Sequence, residues 1–330
     1  MKNIAIVAGG YSSEYIVSLK SAEGIYSFID KSQYNPYKVI ITKDLWIVEL
    51  PDLTTTEIDK NDFSFFIHGE KIKFDFAYIT IHGTPGEDGK LQGYFDLLHI
   101  PYSNCNTLAS ALTFNKYVCN NYLKSFGVKT ANSIRLYQGN TISDETLIEK
   151  LGLPVFVKPN DGGSSFGTTK VKTQKEIQPA IASAFAEGQE VIIESFIPGT
   201  ELTCGCYKIK GKTVVFPITE VVSKNEFFDY EAKYTADKVE EITPARISDL
   251  LRDEIQMLTS EIYDYVGAKG IIRVDYIVSP EGEVKILEVN TTPGMTTTSF
   301  IPQQVHAAGL NIQDVLTDII EDELNKSKNH

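Results

Sequence analysis

The sequence predicts a mixed α/β fold, α+β in part, that begins with a doubly wound parallel sheet. Residues 1–105 alternate between short apolar runs typical of strands and amphipathic segments typical of helices. A glycine-rich loop and further strands and helices follow, and after Gly188 the pattern is mostly strand. Because 330 residues exceed what one hydrophobic core usually serves, we expect three domains, at 1–105, 106–190 and 191–330.

The first segment opens with the pattern of a strand, a turn and a helix. Residues 2–8 form an apolar strand pattern, a glycine pair follows, and residues 13–29 have helical periodicity. A second apolar strand is predicted at 74–81, ahead of the loop 82–89. This alternation favours parallel strands joined by helices.

The later segments mix helices with strands. Residues 106–126 are predicted to be one helix, which Gly127 ends. Thr173 and Glu176 have capping-box spacing at the start of a further helix, but Pro179 favours a later start for its regular part. Strands are also predicted at 154–158 and 168–172, and helices at 248–266 and 312–324.

Charge and composition exclude several classes of function. The formal net charge is −13, so nucleic acid and anionic lipid are poor partners. No apolar run approaches the ~20 residues needed to cross a bilayer, and the N-terminus lacks the pattern of a secretory signal. We therefore expect a cytoplasmic protein. The cysteines, expected to be reduced and partly buried, are Cys105, Cys119, Cys204 and Cys206.

A loop rich in glycine and serine follows the strand at 154–158. Its glycines let backbone N–H groups converge on an anion, and Lys158 can place a positive charge against phosphate. The loop matches neither a Walker A motif nor a dinucleotide-binding fingerprint. It indicates nucleotide binding, with an ordinary Gly-Ser hairpin as the alternative.

The strongest local pattern predicts a β-hairpin at residues 271–290, with Glu281 and Gly282 at the turn. An even-numbered loop centred on that pair places Asp275 directly opposite Glu288, with Cβ atoms roughly 5 Å apart. An odd-numbered loop would break this pairing.

Facing carboxylates repel each other unless a positive group lies between them. Arg273, predicted to lie opposite Asn290, could supply that charge. Asp275, Glu288 and Asn290 are also hard oxygen ligands of the kind that Mg²⁺ takes together with substrate phosphates. In the loop that follows, the N–H of Gly294 could join Arg273 at a developing oxyanion. These features favour phosphoryl transfer to a carboxylate, with a chance surface hairpin as the alternative.

Together these motifs resemble the ATP-grasp superfamily and, within it, the D-alanine–D-alanine ligases, over nearly the whole chain. The matching strings are GGYSSEYIVS at 9–18, HG at 82–83, GEDGKLQG at 86–93, KP at 158–159, GSSFG at 163–167, FDYEAKY at 228–234, RVD at 273–275 and EVNTTPGMT at 288–296. The resemblance implies an ATP-grasp fold and the ATP-dependent joining of two D-alanine molecules through an acyl phosphate, for peptidoglycan precursor synthesis. It also implies a homodimer.

The resemblance assigns roles to individual residues. Two Mg²⁺ ions, or Mn²⁺, would be held by Asp275, Glu288 and Asn290. ATP would be bound by Lys116, Lys158, Ser165, Glu194, Ser195, Phe196, Ile197, Glu201, Phe227, Lys233 and Leu287. The D-alanines and the reacting groups would be contacted by Glu14, His82, Ser164, Tyr234, Arg273, Gly294, Ser299 and Phe300.

Within these sets, the lysines would contact phosphates, Glu194 and the backbone of 195–197 would read the adenine, and Glu201 would bind the ribose. Glu14 would hold the ammonium of the first D-alanine, linked by hydrogen bonds to Ser164 and Tyr234. Ser299 would bind the second D-alanine's carboxylate. Residues 222–242 are predicted to form a lid over ATP.

Three other functions stay open at this stage. A ligase that makes D-alanyl-D-lactate or D-alanyl-D-serine shares the site, although Tyr234 favours the dipeptide. Another ATP-grasp ligase would differ in its acceptor. A nucleotide-binding module without catalysis would be expected to lose Arg273 or a proposed metal ligand, and the sequence retains them all.

Overall fold

The computed structural model describes residues 1–162, 167–223 and 239–327. The strands in these ranges are β1 (Lys2–Gly9), β2 (Tyr34–Ile41), β3 (Trp46–Glu49), β4 (Thr55–Glu57), β5 (Ser64–Ile67), β6 (Glu70–Lys73), β7 (Phe76–Ile79), β8 (Ser133–Tyr137), β9 (Val155–Pro159), β10 (Thr169–Val171), β11 (Glu190–Ser195), β12 (Thr200–Ile209), β13 (Lys212–Val215), β14 (Thr219–Ser223), β15 (Val239–Ile242), β16 (Ile271–Val278) and β17 (Val284–Asn290). The helices there are α1 (Tyr15–Phe28), α2 (Lys90–Leu97), α3 (Thr107–Phe114), α4 (Lys116–Lys124), α5 (Asp144–Leu151), α6 (Ile177–Glu187), α7 (Asp249–Tyr265), α8 (Phe300–Ala307) and α9 (Ile312–Ser327). None of these helices combines the length and apolar character needed to cross a bilayer.

The first sheet has the order β4-β3-β2-β1-β7. Strand β1 pairs in parallel with both β2 and β7, which confirms the predicted parallel core. Its residues from Ile4 to Ala8 are completely buried, as expected for a parallel strand covered on both faces. The antiparallel strands β3 and β4 extend the sheet at one edge and were not predicted.

The second sheet is antiparallel, in the order β10-β9-β11-β8, and its core includes apolar side chains of α5 and α6. The capping box of Thr173 and Glu176 is present, but it begins a 3₁₀ turn at Gln174–Glu176. Helix α6 follows, so Pro179 falls in its first turn, where a missing N–H is tolerated. This confirms the predicted later start.

The third sheet runs β15-β14-β12-β16-β17, with β13 paired to β12. Cys204 and Cys206 point from β12 into a core that also takes side chains of α7. All four cysteines are free and fully buried, so their burial exceeds the prediction.

The single helix predicted at 106–126 is wrong in one detail. The chain breaks at Asn115, which has extended backbone angles and ends α3. The Asn115 side chain then caps α4 by accepting a hydrogen bond from the N–H of Val118 at 3.0 Å. Lys116 thereby becomes the first residue of α4, and its N–H donates to the carbonyl of Asn160 at 3.1 Å.

The hairpin of β16 and β17 has the predicted pairing but not the predicted loop. The loop 279–283 has an odd number of residues, which would bring Leu287 opposite Asp275 in a regular ladder. A β-bulge at Leu287 of β17, opposite the step from Asp275 to Tyr276 of β16, shifts the register, and Asp275 therefore pairs with Glu288. The bulge in the strand therefore compensates for the odd number of residues in the turn.

Candidate active site

One cavity of about 1060 Å³ is lined by residues of the second and third sheets, of α1 and of the loop after β7. One part of its wall is formed by predicted nucleotide and metal contacts, namely Lys116, Lys158, Glu194, Ser195, Phe196, Ile197, Glu201, Asp275, Leu287, Glu288 and Asn290. Another part is formed by predicted substrate contacts, namely Glu14, His82, Arg273, Gly294, Ser299 and Phe300. The fold thus brings together residues that lie almost 290 positions apart in the chain.

The other predicted contacts fall outside the described residues. They are Ser164, Ser165, Phe227, Lys233 and Tyr234. Most of the predicted lid at 222–242 lies there too.

The carboxylate of Asp275 accepts four hydrogen bonds in the cavity wall. Its Oδ1 accepts from Thr203 Oγ1 at 2.6 Å and from Arg273 Nε at 2.8 Å. Its Oδ2 accepts from Arg273 Nη2 at 2.7 Å and from Asn290 Nδ2 at 3.0 Å. Burial alone would lower the pKa of Arg273, but the carboxylates of Asp275 and Glu288 raise that pKa, so the guanidinium stays charged.

The hairpin carries a donor set that suits a divalent cation. In the part of the chain that the structure describes, no group of three or more His, Cys, Asp or Glu side chains could hold a metal. Two carboxylates and the Asn290 amide instead face one cavity, with room beside them for further oxygen ligands. Lys116 Nζ lies 3.5 Å from Glu288 Oε2, and Arg273 covers Asp275. The acidic pair therefore attracts positive charge, and its hard oxygens fit Mg²⁺.

Two lysines bring positive charge to the predicted phosphate region. Lys116 Nζ donates to the carbonyl of Gly162 beside the glycine-rich loop. Lys158 Nζ forms a buried ion pair with Glu194 Oε2 at 2.6 Å. Burial would lower the pKa of Lys158, but Glu194 raises it above its ordinary value, so the ammonium is retained. Asn120 Nδ2 holds the other Glu194 oxygen at 3.0 Å.

The segment after β11 forms the predicted adenine wall. The N–H of Ser195 donates to the carbonyl of Asn132, and the N–H of Phe196 donates to that of Pro154. Those two donors are therefore unavailable to a base. Lys170 Nζ lies 3.8 Å from the centre of the Phe196 ring and covers one face of it.

The start of α1 and the loop after β7 form the predicted site for the first substrate. Glu14 is buried directly ahead of α1. Burial lowers the pKa of His82, partly opposed by Glu14, and its Nε2 lies 3.1 Å from Ser21 Oγ. His82 is therefore neutral at physiological pH.

Glu87 is an unpredicted member of this region. Its Oε2 accepts from the N–H of Gly83 at 2.7 Å. Burial, reinforced by the nearby Glu14 carboxylate, raises the pKa of Glu87 to about 8. The signal for it was its place in the matching string at 86–93.

The loop 291–299 and the start of α8 form the predicted acceptor end. Ser299 Oγ accepts from the N–H of Thr296 at 3.1 Å, and a Cβ added to Gly294 would lie 2.9 Å from that oxygen. The Arg273 guanidinium carbon lies 5.3 Å from the centre of the Phe300 ring. Only glycine at 294 leaves the Ser299 hydroxyl undisturbed.

Two family models match most of the chain. Residues 3–105 match the model of the D-ala D-ala ligase N-terminus, and residues 122–321 match that of the D-ala D-ala ligase C-terminus. The chain is 68% identical over 327 residues to a D-alanine–D-alanine ligase of Parabacteroides distasonis, which covers 99% of both chains.

Solved structures share the whole fold. The VanG D-Ala:D-Ser ligase from Enterococcus faecalis has a TM-score of 0.85 and 32% identity, covering 97% of this chain and 98% of its own. The D-alanine–D-alanine ligase from Bacillus anthracis complexed with ATP has a TM-score of 0.79 and 29% identity, covering 100% and 99%. The described sheets are thus those of an ATP-grasp enzyme, and the chain belongs to the D-alanine–D-alanine ligase family.

Proposed function

We propose that the protein joins two D-alanine molecules into D-alanyl-D-alanine, with ATP converted to ADP and phosphate, for peptidoglycan precursor synthesis. The observation that carries this proposal is the cavity in which Glu14, Arg273 and Ser299 share one space with the acidic hairpin. A phosphoryl-transfer site and a site for two amino acids would therefore adjoin. The identity of 68% to a D-alanine–D-alanine ligase supports the same reaction.

The buried Glu14 carboxylate would receive the ammonium of the first D-alanine and orient its carboxylate. Lys116 and Lys158 would offset the charge of the phosphates, so that the carboxylate can attack the γ-phosphorus without strong repulsion. Mg²⁺, held by Asp275, Glu288 and Asn290, would supply charge neutralisation along the phosphates. The nucleoside would be held by Glu194, Glu201, Leu287 and, in the backbone of 195–197, by the carbonyls and the N–H of Ile197, because the other two N–H groups are already bonded.

The second half of the reaction depends on the acceptor end of the cavity. Ser299 would bind the carboxylate of the second D-alanine, with Phe300 beside it. Its amine would attack the acyl phosphate, and phosphate would leave. Arg273 and the N–H of Gly294 would stabilise the oxyanion that forms at the carbonyl carbon.

The residues outside the described ranges complete the proposal. Ser164 and Tyr234 would link to Glu14, Ser165 and Lys233 would contact phosphate, and Phe227 would pack on the base. Residues 222–242 would close over ATP and exclude water from the acyl phosphate. We also propose a homodimer in the cytoplasm, with Mn²⁺ able to replace Mg²⁺.

Other functions have less support. Relatives at 55–68% identity are D-alanine–D-alanine ligases, which does not favour an ester-forming or D-serine enzyme. A module that only binds nucleotide would not need the second substrate end, yet Arg273, Gly294 and Ser299 are retained there.

The proposal is tested by incubating the purified chain with Mg²⁺, ATP and D-alanine, either alone or with added D-serine or D-lactate. We expect phosphate release that requires D-alanine, together with a product of the mass of D-alanyl-D-alanine. ATP turnover without any amino acid, or a product only with D-serine or D-lactate, would contradict it. Arg273→Ala is the matched inactive control, because it removes the oxyanion donor.

A further inference from the structure

The cavity wall contains a buried threonine to which no role has been given. Thr203 lies in the middle of β12, where only 2% of its surface is exposed. The register of β12 and β16 places it directly opposite Asp275. Its neighbours Leu202 and Cys204 point into the apolar core, so Thr203 faces the cavity instead.

The hydroxyl of Thr203 has a specific partner. It donates to Oδ1 of Asp275 at 2.6 Å, a short distance that is typical of a hydroxyl bound to an ionised carboxylate. A carboxylate offers about four acceptor positions, and those of Asp275 are filled by Thr203, Asn290 and two nitrogens of Arg273. A cation can therefore reach Asp275 only if one donor withdraws.

The donors differ in how easily they can withdraw. The Asn290 amide can rotate and present its oxygen to a cation, and Arg273 has a long side chain beside the open cavity. Thr203 is β-branched and sits on a central strand. Its carbonyl accepts from Nε2 of the fully buried Gln304 at 3.0 Å. Thr203 is thus the donor that stays in place.

We infer that Thr203 is a positioning residue that keeps Oδ1 of Asp275 bound to the protein and leaves Oδ2 for the metal. The inference rests on the proposed function, since it takes Asp275 as a metal ligand. Groups that hold a ligating carboxylate from behind fix its orientation, and their loss typically costs about 10- to 100-fold in metal affinity. Gln304 connects this contact to α8, whose first turn begins at the acceptor end of the cavity.

The test is Mn²⁺ binding, followed by electron paramagnetic resonance of free Mn²⁺, in the presence of a non-hydrolysable ATP analogue. We expect Thr203→Val to weaken Mn²⁺ binding by about 10- to 100-fold and Thr203→Ser, which keeps the hydroxyl, to restore it. In steady-state assays, the Mg²⁺ concentration at half-maximal rate should rise in Thr203→Val, while the KM for D-alanine stays near that of the wild type.

Thr259→Val is the matched control. Thr259 is equally buried, and its hydroxyl contacts Tyr276 and the carbonyl of Ile255 rather than Asp275. It should lower the melting temperature without changing Mn²⁺ affinity. If Thr203→Val does not fold, Thr203→Ala, which also removes the hydroxyl, is compared in the same way.

Wild-type Mn²⁺ affinity in Thr203→Val, or in Thr203→Ala where that variant is used, would overturn the inference, as would failure of Thr203→Ser to restore binding. If the wild-type chain itself neither binds Mn²⁺ nor forms the dipeptide, the proposed function is wrong instead. The two failures are therefore distinguishable.

Discussion

Single side chains in the cavity show how burial and neighbouring charge set their protonation. Arg273 and Lys158 keep their protons because each faces a carboxylate at 2.6–2.7 Å. The environment of Glu87 has the opposite effect on its charge, because burial and the Glu14 carboxylate both disfavour the ionised form. The cavity thus holds both permanent cations and an acid that is protonated near neutral pH.

Glu87 predicts a pH dependence of stability. Its pKa of about 8 in the folded protein lies above the ordinary 4.5, so the unfolded state loses this proton first as pH rises. Glu87 therefore lowers the free energy of unfolding progressively between about pH 5 and about pH 8. Gln at position 87 can accept the same bond from Gly83 without this cost. In metal-free, nucleotide-free protein, the stability of Glu87→Gln relative to wild type should grow across that range by up to about 1.4 kcal/mol per pH unit.

Thermal melting at several pH values, with a chelator present, measures this difference. The groups that face Glu87 include Glu14, Lys116 and Glu288, so a constant difference would mean that Lys116 keeps Glu87 ionised. The control is Glu176→Gln, because backbone N–H groups lower the pKa of that exposed carboxyl and confine its effect to acidic pH.

At the scale of helices and strands, the sequence predicted those features that depend on contacts between residues close together in the chain. The hairpin of β16 and β17 was predictable from its clear alternation, but the bulge that pairs Asp275 with Glu288 across an odd-numbered turn was not. The break at Asn115 was not, since apolar periodicity continues through it and the contact that fixes Lys116 comes from Asn160. The contact between Thr203 and Asp275 was not predictable either, because it depends on the register between β12 and a strand about seventy residues later.

The cap at Asn115 predicts a link between helix α4 and nucleotide binding. Asn115→Ala removes the side-chain acceptor of the Val118 N–H and should cost about 1 kcal/mol in stability. Because Lys116 follows directly, its ammonium should lose its fixed position, and the KM for ATP should rise several-fold.

Ser143→Ala is the matched control, because Ser143 caps α5 in the same way, through the N–H of Thr146 at 3.2 Å. It should show a similar loss of stability in chemical denaturation with an unchanged KM for ATP. Equal effects of both substitutions on the KM would contradict the link.

At the scale of the whole molecule, one close contact joins the first sheet's helix to the acceptor loop. A Cβ added to Gly24 of α1 would lie only 2.0 Å from the carbonyl oxygen of Met295. Ser21 Oγ, one turn earlier, accepts from the N–H of Met295 at 3.4 Å. The core around this contact includes Ile25, Ile301 and side chains of α9, so residues near both ends of the chain fix the acceptor end. The division into 1–105, 106–190 and 191–330 stays a prediction.

This contact predicts an unusual outcome for a glycine in a helix. Gly→Ala inside a helix normally stabilises by about 1 kcal/mol. Gly24→Ala should instead destabilise the protein and reduce turnover more than the KM for ATP, because the methyl group must push the acceptor loop away.

The control is Gly93→Ala in α2, where the nearest atom to the added Cβ, Thr107 Oγ1, would lie at 3.6 Å, an ordinary contact. That variant should be more stable than wild type and equally active. Melting temperatures and steady-state kinetics of both variants decide the prediction, and a stabilised, fully active Gly24→Ala would refute it.

The bulge beside Asp275 has a further consequence for evolution. Leu287 is the extra residue of β17, because Asp275 pairs with Glu288 while Tyr276 pairs with Ile286. This extra residue offsets the odd number of residues in the turn and keeps Glu288 opposite Asp275. Insertions or deletions that accumulate in the turn at 279–283 during evolution would leave the pairing of Asp275 with Glu288 intact. The condition is that the three strand pairs between the bulge and the turn persist.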